Sequence, residues 1–234
     1  MNSDSKKIIA LLPMKANSER VKGKNFRDFC GKPLFRWILD TLLAVKAIDS
    51  VVINTDARHI LAENDLVESE RVIIRDRKPE ICGDMVSMNK ILTDDINNID
   101  ADTYLMTHVT NPLISSKTIE QALTQFIQAQ KNNQADSLFT VNKIQTRFYH
   151  ADGSAVNHDP DNLIRTQDLE PWFEENSNLY IFTKQSFATT NARIGQNPTM
   201  YTMSKFESID IDEPEDWEMA EIAARYFLQK EATK

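Results

Sequence analysis

Short apolar runs alternate along the chain with longer stretches in which apolar residues recur every three or four positions. The runs have the length and continuous hydrophobicity of buried parallel strands, and the longer stretches have the period of amphipathic helices. The predicted strands cover residues 8–12, 51–54, 72–74, 103–106, 137–141 and 179–182. The predicted helices cover residues 34–45, 58–64, 88–96, 119–127 and 214–226. This alternation predicts an α/β fold with a doubly wound, mostly parallel sheet.

The alternation stops between residues 142 and 178, where polar residues, a glycine turn and several aromatic residues replace the periodic pattern. A segment of this length without a regular pattern usually carries function or packs on a partner. We therefore predict one domain over residues 1–234, with residues 143–177 inserted as an excursion from the sheet.

Composition narrows the functional classes. The 234 residues carry a net charge of −8, which argues against nucleic-acid binding through bulk electrostatics. The sequence contains no run of about 18 apolar residues, the length that a membrane-spanning helix needs. The N-terminal residues lack the apolar core of a signal peptide. The only two cysteines, Cys30 and Cys82, fit reduced thiols. We expect a soluble, cytoplasmic protein without nucleic-acid or membrane partners.

A basic loop follows the first predicted strand, against the acidic average of the chain. Its four cations are Lys15, Arg20, Lys22 and Lys24. A strand, a basic loop and a helix at the start of an α/β chain predict a polyphosphate site, because backbone N–H groups and cations both face the anion. The alternative is a solvated basic loop. A dinucleotide oxidoreductase is disfavoured, since no G-x-G-x-x-G motif follows any predicted strand.

Acidic residues alternate with isoleucines near the C-terminus, over residues 208–212. If this segment is a strand, Ile209 and Ile211 face the core while Asp210 and Asp212 share the opposite face. Two carboxylates on one face, near a basic loop, suit a hard divalent cation. The alternative is that Asp212 merely caps the helix that begins at Pro214.

Several of these segments together resemble the acylneuraminate (CMP-sialic acid) cytidylyltransferases and related CMP-nonulosonic acid synthetases. The resemblance rests on motifs spread in order over nearly the whole chain. They are Pro13, Ser18, Lys24 and Asn25 of the first loop, 31–34, Thr55-Asp56, 78–80 with Gly83-Asp84 and Ser87, 110–113, 176–180 and 208–212. The match is collective, because each motif alone is short.

The resemblance implies a Rossmann-like nucleotide-diphospho-sugar transferase fold and a cytidylyltransferase activity. CTP and a nonulosonic (sialic-type) keto-sugar acid would give a CMP-sugar, for surface polysaccharide biosynthesis, and pyrophosphate. The implied cofactor is Mg²⁺ or Mn²⁺, held by Asp210 and Asp212. The implied catalytic residues are Lys15, Arg20, Lys24 and Asp212. The implied CTP-binding residues are Lys15, Ser18, Arg20, Lys24, Asn25, Lys78 and Ser87. The implied sugar-binding residues are His108, Thr110, Asn176 and Asn178.

The chain departs from the family pattern at several positions. In the first loop Lys15 replaces an arginine and Glu19 replaces a lysine, so we expect Glu19 to turn outward and Arg20 to act in its place. On the sugar side the departures are His108, Ile114 and Glu174, and His108 also fits a simple polar residue at a strand end. Two alternatives therefore stay open: a nucleotidylyltransferase for another sugar or nucleotide, and a non-catalytic nucleotide-binding homologue.

The resemblance also implies that the excursion packs across a two-fold axis. Its aromatic residues are of the kind that protein interfaces favour. They are Phe148, Tyr149, Trp172 and Phe173. We expect a homodimer in which the excursion covers the partner. The alternative is that these aromatic residues fold back onto their own sheet.

Overall fold

The computed structural model describes the backbone of residues 6–18 and 20–232 and the side chains of this part of the chain through residue 230. The elements follow one another as β1 (Ile8–Leu11), β2 (Asp28–Phe29), β3 (Lys32–Pro33), α1 (Leu34–Ala44), β4 (Ser50–Thr55), α2 (Arg58–Glu63), β5 (Val72–Asp76), α3 (Met88–Asn98), β6 (Thr103–Thr107), α4 (Ser116–Lys131), β7 (Ser137–Ile144), β8 (Trp172–Phe182), α5 (Lys184–Thr190), β9 (Pro198–Thr202) and α6 (Pro214–Ala232). Every strand and helix predicted from the alternation has a counterpart in this order.

Seven strands form the main sheet, in the order β5-β4-β1-β6-β8-β7-β9. The pairs β5–β4, β4–β1, β1–β6 and β7–β9 are parallel. Strand β8 runs antiparallel to both of its neighbours, β6 and β7. The predicted α/β fold with a mostly parallel sheet is confirmed.

Two apolar layers cover the sheet, one on each face. Along β1, Ile8 and Ala10 contact the layer built from α1, α2, α4 and α6, whereas Ile9 and Leu11 contact the layer built from α3 and α5. Successive side chains of a strand point to opposite faces, so a strand buried on both faces needs an unbroken apolar run. This is why the central strands were visible in the sequence as continuous runs.

The two strands that frame the predicted excursion are longer than expected. Strand β7 continues to Ile144 and β8 begins at Trp172, and these two residues pair. Residues 145–171 therefore form the part that leaves the sheet, and within it Tyr149 and Ala155 make one antiparallel bridge. The sequence also gave no signal for α5, which is short, or for β9, a half-exposed strand at the edge of the sheet.

A bulge interrupts the pairing of β7 with β8 between Phe139 and Val141. Ser177 on the opposite strand has a positive φ of 56°. The side chain of Asn176 closes the bulge, because its oxygen accepts from the Thr140 hydroxyl at 2.6 Å and from the Asn178 N–H at 3.2 Å. The bulge turns Ser177 away from the ladder, which is a common use of such irregularities.

The segment that joins α5 to β9 is held firmly against the start of β7. The Asp136 carboxylate accepts from the Gln196 N–H at 2.8 Å, and the Ser137 hydroxyl accepts from the Gly195 N–H at 2.8 Å. A Cβ at Gly195 would lie 2.3 Å from the Asp136 carboxylate, so only glycine fits this approach.

In the described part of the chain, no helix is both long and apolar enough to cross a membrane. Cys30 and Cys82 are free and partly buried.

Candidate functional site

Three parallel strands end at one edge of the sheet, and the residues that follow two of them, β1 and β6, line one cavity. The basic loop follows β1, Asp56 follows β4, and His108 follows β6. The Asp56 carboxylate accepts from the Ala16 N–H at 2.7 Å and so ties the basic loop to the end of β4. The cavity has a volume of about 500 Å³. Ligands of open α/β sheets bind at this carboxyl edge.

Most of the residues predicted for the site line this cavity. They are Lys15, Ser18, Arg20, Lys24, Asn25, His108, Thr110, Asp210 and Asp212. The structure thus brings together the basic loop and the acidic C-terminal segment, almost 200 positions apart in the chain. Glu19, which we expected to turn outward, lies outside the described residues.

Lys24 is a buried cation that joins these two segments. Its side chain amine donates to the Ile211 carbonyl at 2.6 Å and to the Asp212 carboxylate at 3.3 Å. The residue is 8% exposed. A buried ammonium needs such oxygen partners to offset its desolvation. Lys24 therefore fixes where Asp212 stands.

Arg20 and Lys15 are the two other cations of the basic loop that line the cavity, and both bond to carboxylates. The Arg20 guanidinium contacts Asp212 at 2.9 Å and Glu213 at 3.0 Å. Lys15 is paired with Asp84. These pairs are solvent-exposed, so each contributes little stability and can be exchanged for a more highly charged anion.

The segment with the two aspartates is an extended loop, so the conditional assignment of residues 208–212 to a strand was wrong. A backbone hydrogen bond ties it to the loop after β6, from the Ile211 N–H to the Thr110 carbonyl at 2.9 Å. The Ile211 side chain is fully buried. With Ile211 anchored in this way, Asp210 and Asp212 on either side of it line the cavity.

Asp210 is the more enclosed of the two aspartates. Burial and the nearby charge of Asp212 raise the pKa of Asp210, although Thr110 donates to it. Among the described residues, its buried Oδ1 atom has no hydrogen-bond partner. A buried, unpartnered carboxylate oxygen is costly unless a ligand satisfies it.

The helix-cap explanation of Asp212 fails. Helix α6 begins at Pro214, and the carboxylate at its N-terminus that accepts backbone N–H groups belongs to Asp216. Asp216 accepts from Glu213 at 2.7 Å and from Asp212 at 3.0 Å. The Asp212 side chain instead bonds to Arg20 and Lys24, inside the cavity.

His108 lies at the inner wall of the cavity. Burial lowers its pKa to about 4, and the positive charges of Arg193 and Lys24 act in the same direction. The imidazole is therefore neutral at neutral pH. In that state it offers one N–H donor and one nitrogen acceptor rather than a cation.

Four residues predicted for the site do not line the main cavity. Lys78 is paired with Asp94 at 2.6 Å, and Ser87 lines a neighbouring, smaller cavity. Asn176 belongs to the β-bulge, and the side chain of Asn178 is fully buried and donates to the Asn176 carbonyl at 2.9 Å. Their assignments to nucleotide and sugar binding remain predictions.

Arg77 lines the cavity and was not predicted. It directly follows β5, at the carboxyl edge of the sheet where ligands of open α/β folds bind. Its guanidinium donates to the Met14 carbonyl at 3.1 Å and to the Asn54 side chain at 3.0 Å. Asn54 in turn donates to the buried Asp95 at 2.8 Å, which orients its amide. Burial lowers the pKa of Arg77.

Within the described residues, no three histidine, cysteine, aspartate or glutamate side chains stand close enough together to hold a metal on their own. Asp210 and Asp212 would thus supply only part of the ligand shell of a divalent cation bound there. Mg²⁺ commonly binds in this way, through one or two carboxylates, water and substrate phosphates.

The chain is similar to several known proteins that are named as cytidylyltransferases. The family model described as cytidylyltransferase matches residues 9–231. A pseudaminic acid cytidylyltransferase of Campylobacter jejuni subsp. jejuni serotype O:2 is 24% identical over 227 residues, which cover 92% of this chain and 95% of the relative. An N-acylneuraminate cytidylyltransferase of Streptococcus agalactiae serotype V is 25% identical over 217 residues, which cover 90% of this chain and 52% of the relative.

The fold also has a solved counterpart. The structure of a CMP:2-keto-3-deoxy-manno-octonic acid synthetase complexed with CTP superposes with a TM-score of 0.65 at 15% sequence identity. The superposition covers 94% of this chain and 99% of that one. At this identity the likeness concerns the fold.

The depressed pKa of His108 predicts how stability changes with pH. The unfolded chain binds a proton at this histidine near pH 6.5, whereas the folded chain does so only near pH 4. The folded state therefore loses stability as the pH falls between these values. Relative to wild type, His108→Gln should gain about 2 kcal/mol between about pH 7.5 and pH 5.

Urea unfolding of both proteins in metal-free buffer at the two pH values measures this difference. The exposed histidine of α2 gives the matched control, His59→Gln. An identical pH dependence in wild type and His108→Gln would contradict a neutral His108 in the folded protein.

Proposed function

The chain belongs to the cytidylyltransferase family, and on that premise we propose that it forms a CMP-sugar and pyrophosphate from CTP and a nonulosonic, sialic-type keto-sugar acid. The observation that carries the proposal is the meeting of the basic loop with Asp210 and Asp212 on one cavity at the carboxyl edge of the sheet. Such a cavity is suited to a polyphosphate and a divalent cation together. Two relatives are named for sialic-type acids.

Asp210 and Asp212 fit a Mg²⁺ or Mn²⁺ ion. The unpartnered Oδ1 atom of Asp210 supplies a free ligand oxygen, and oxygen ligands are those that these hard cations prefer. When bound, such an ion would neutralise phosphate charge and make the attacking hydroxyl more acidic. Its presence is part of the proposal.

The chain's own residues would act mainly by positioning and charge. We assign Lys15, Arg20 and Lys24 to the triphosphate, where they stabilise the leaving pyrophosphate. Arg77, which is bonded to Asn54 of β4, and Asn25 also line the cavity and would bind the nucleoside. The anomeric hydroxyl attacks the α-phosphorus, a new P–O bond forms, the bond to the bridging oxygen breaks, and the hydroxyl proton passes to solvent.

A substrate panel tests the function. Purified protein should release pyrophosphate with CTP and at least one nonulosonic acid, and little with UTP, GTP or ATP. Asp212→Asn should reduce turnover at least about 100-fold, because it removes one negative charge from the proposed metal site, with little change in melting temperature. Glu218→Gln on the exposed face of α6 is the matched control.

Two results would oppose the proposal in different ways. Preference for another nucleotide would favour a different nucleotidylyltransferase. If the protein binds CTP but releases no pyrophosphate from it with any acid of the panel, a non-catalytic homologue would be favoured.

Arg20 provides a second test, because its present partners are the carboxylates of Asp212 and Glu213. We expect the guanidinium to move to the triphosphate when CTP binds. Arg20→Ala should then weaken CTP binding by about 1.5–3 kcal/mol, and Glu213→Gln should strengthen it slightly by releasing the guanidinium. Titration calorimetry with Mg²⁺ and CTP measures both variants. Unchanged affinity in Arg20→Ala would leave Lys15 and Lys24 as the only cations of the loop on the triphosphate.

We also propose a homodimer formed through the excursion. Tyr149, Leu163, Trp172 and Phe173 each expose more than 40% of their surface, so these apolar groups remain available for a partner. A cytoplasmic location belongs to the same proposal and is supported by the two free thiols. Sedimentation at micromolar concentration should give a dimer, and Trp172→Glu should give a monomer. A wild-type monomer at that concentration would refute the assembly.

A further inference from the structure

A second cavity, of about 290 Å³, adjoins the main one. Met88 lines both, so it forms part of the boundary between them. The smaller cavity is bordered by the start of α3, by β8 and by the segment that joins α5 to β9. Its polar lining residues are Ser87, Asn89, Glu175 and Arg193.

Arg193 is the cation of this second cavity, and it is held in one orientation. Its guanidinium carbon lies 3.9 Å from the centre of the Tyr180 ring, and its NH2 group donates to the Tyr180 hydroxyl at 3.0 Å. The backbone that carries it is fixed by the bonds of Asp136 and Ser137 to Gly195 and Gln196. A planar guanidinium fixed in this way is prepared for a planar anion.

Most of the donors of Arg193 are unused. Its Nε and NH1 groups make no hydrogen bond to any described residue. The nearest carboxylate, that of Glu175, stands 3.8 Å from NH2, too far for a hydrogen bond. Glu175 itself accepts from the Tyr180 hydroxyl. The Arg193 side chain nevertheless keeps only 20% of its surface exposed, so it faces the cavity rather than bulk solvent.

The other cations near the reaction site already have assignments. Lys15, Arg20 and Lys24 would face the triphosphate, and Arg77 is bonded to Asn54 and Met14. His108, next to Arg193, is neutral. An acidic acceptor brings one more negative charge to this site. Arg193 has Nε and NH1 donors left for it, because its nearest described carboxylate, that of Glu175, stands 3.8 Å from NH2.

We propose that Arg193 binds the carboxylate of the acceptor sugar acid through a bidentate pair. The inference rests on the proposed function and adds to it the residue that selects an acid over a neutral sugar. A guanidinium and a carboxylate form two parallel charge-assisted hydrogen bonds, which a carboxamide or an alcohol cannot reproduce.

The test varies both partners. Arg193→Met keeps an apolar side chain of similar length and removes the guanidinium. The acceptor is supplied either as the acid or as its carboxamide. For the acid, Arg193→Met should raise KM about 10- to 100-fold, while KM for CTP stays within about two-fold. Wild type should discriminate against the carboxamide by a similar factor, and Arg193→Met should not discriminate.

Two further variants complete the design. Arg225→Met removes an exposed arginine from α6, where it is paired with Glu221, and should leave both KM values unchanged. Tyr180→Phe removes the hydroxyl that orients the guanidinium while keeping the ring under it. It should raise KM for the acid by a smaller factor than Arg193→Met. If Arg193→Met lowers the melting temperature markedly, Arg193→Gln replaces it with the same expectations.

The outcomes separate this inference from the proposed function. If wild type turns over but Arg193→Met keeps its acid KM and its discrimination against the carboxamide, the role of Arg193 is refuted and the function stands. If wild type gives no turnover with CTP and any acid of the panel, both are refuted.

Discussion

The bond between Lys24 and the Ile211 carbonyl is the contact on which the candidate site depends. It joins the basic loop after β1 to the segment before α6, and it buries a cation to do so. A buried ammonium tolerates few arrangements of its oxygen partners, because each lost partner leaves an uncompensated charge. Since Lys24 also touches Asp212, this one buried side chain bonds the loop to two successive residues of the acidic segment. The sheet brings the two segments close together, and the bonds of Lys24 hold them to each other.

Around this contact the cavity carries balanced charges. Arg20 is ion-paired with Asp212 and Glu213, and Lys15 is ion-paired with Asp84. In this arrangement the cations and carboxylates neutralise one another. A triphosphate carries more charge than any of these carboxylates and can draw the exposed cations toward itself. Among the three loop cations that line the cavity, Lys24, held by a backbone carbonyl, is the one least able to move. The basic loop thus combines one fixed cation with two exchangeable ones.

The sequence predicted the central strands and the basic loop that follows β1, because both are patterns local in the chain. Fully buried strands need continuous apolar runs, and ligands collect at strand ends. It could not predict which polar side chain meets which partner across long separations. Asn176 looks like a binding residue in the sequence, yet its side chain closes a bulge by bonding to Thr140. Arg77 directly follows β5 and was still missed, since its support from Asn54 and Asp95 spans separate elements.

The bulge between β7 and β8 has a consequence for how relatives of this chain can differ in length. Strand pairing has a period of two, so one residue inserted into a ladder normally turns every later side chain to the wrong face. Here the ladder of the excursion, at Ile144 and Trp172, is separated by the bulge from the core ladder at Leu138 and Ile181. On the core side of the bulge, the bonds of Thr140 to Asn176 and Leu179 fix how β7 and β8 pair, independently of the excursion side. The outer arm can therefore gain or lose residues during evolution while the core side chains of β8 keep their faces.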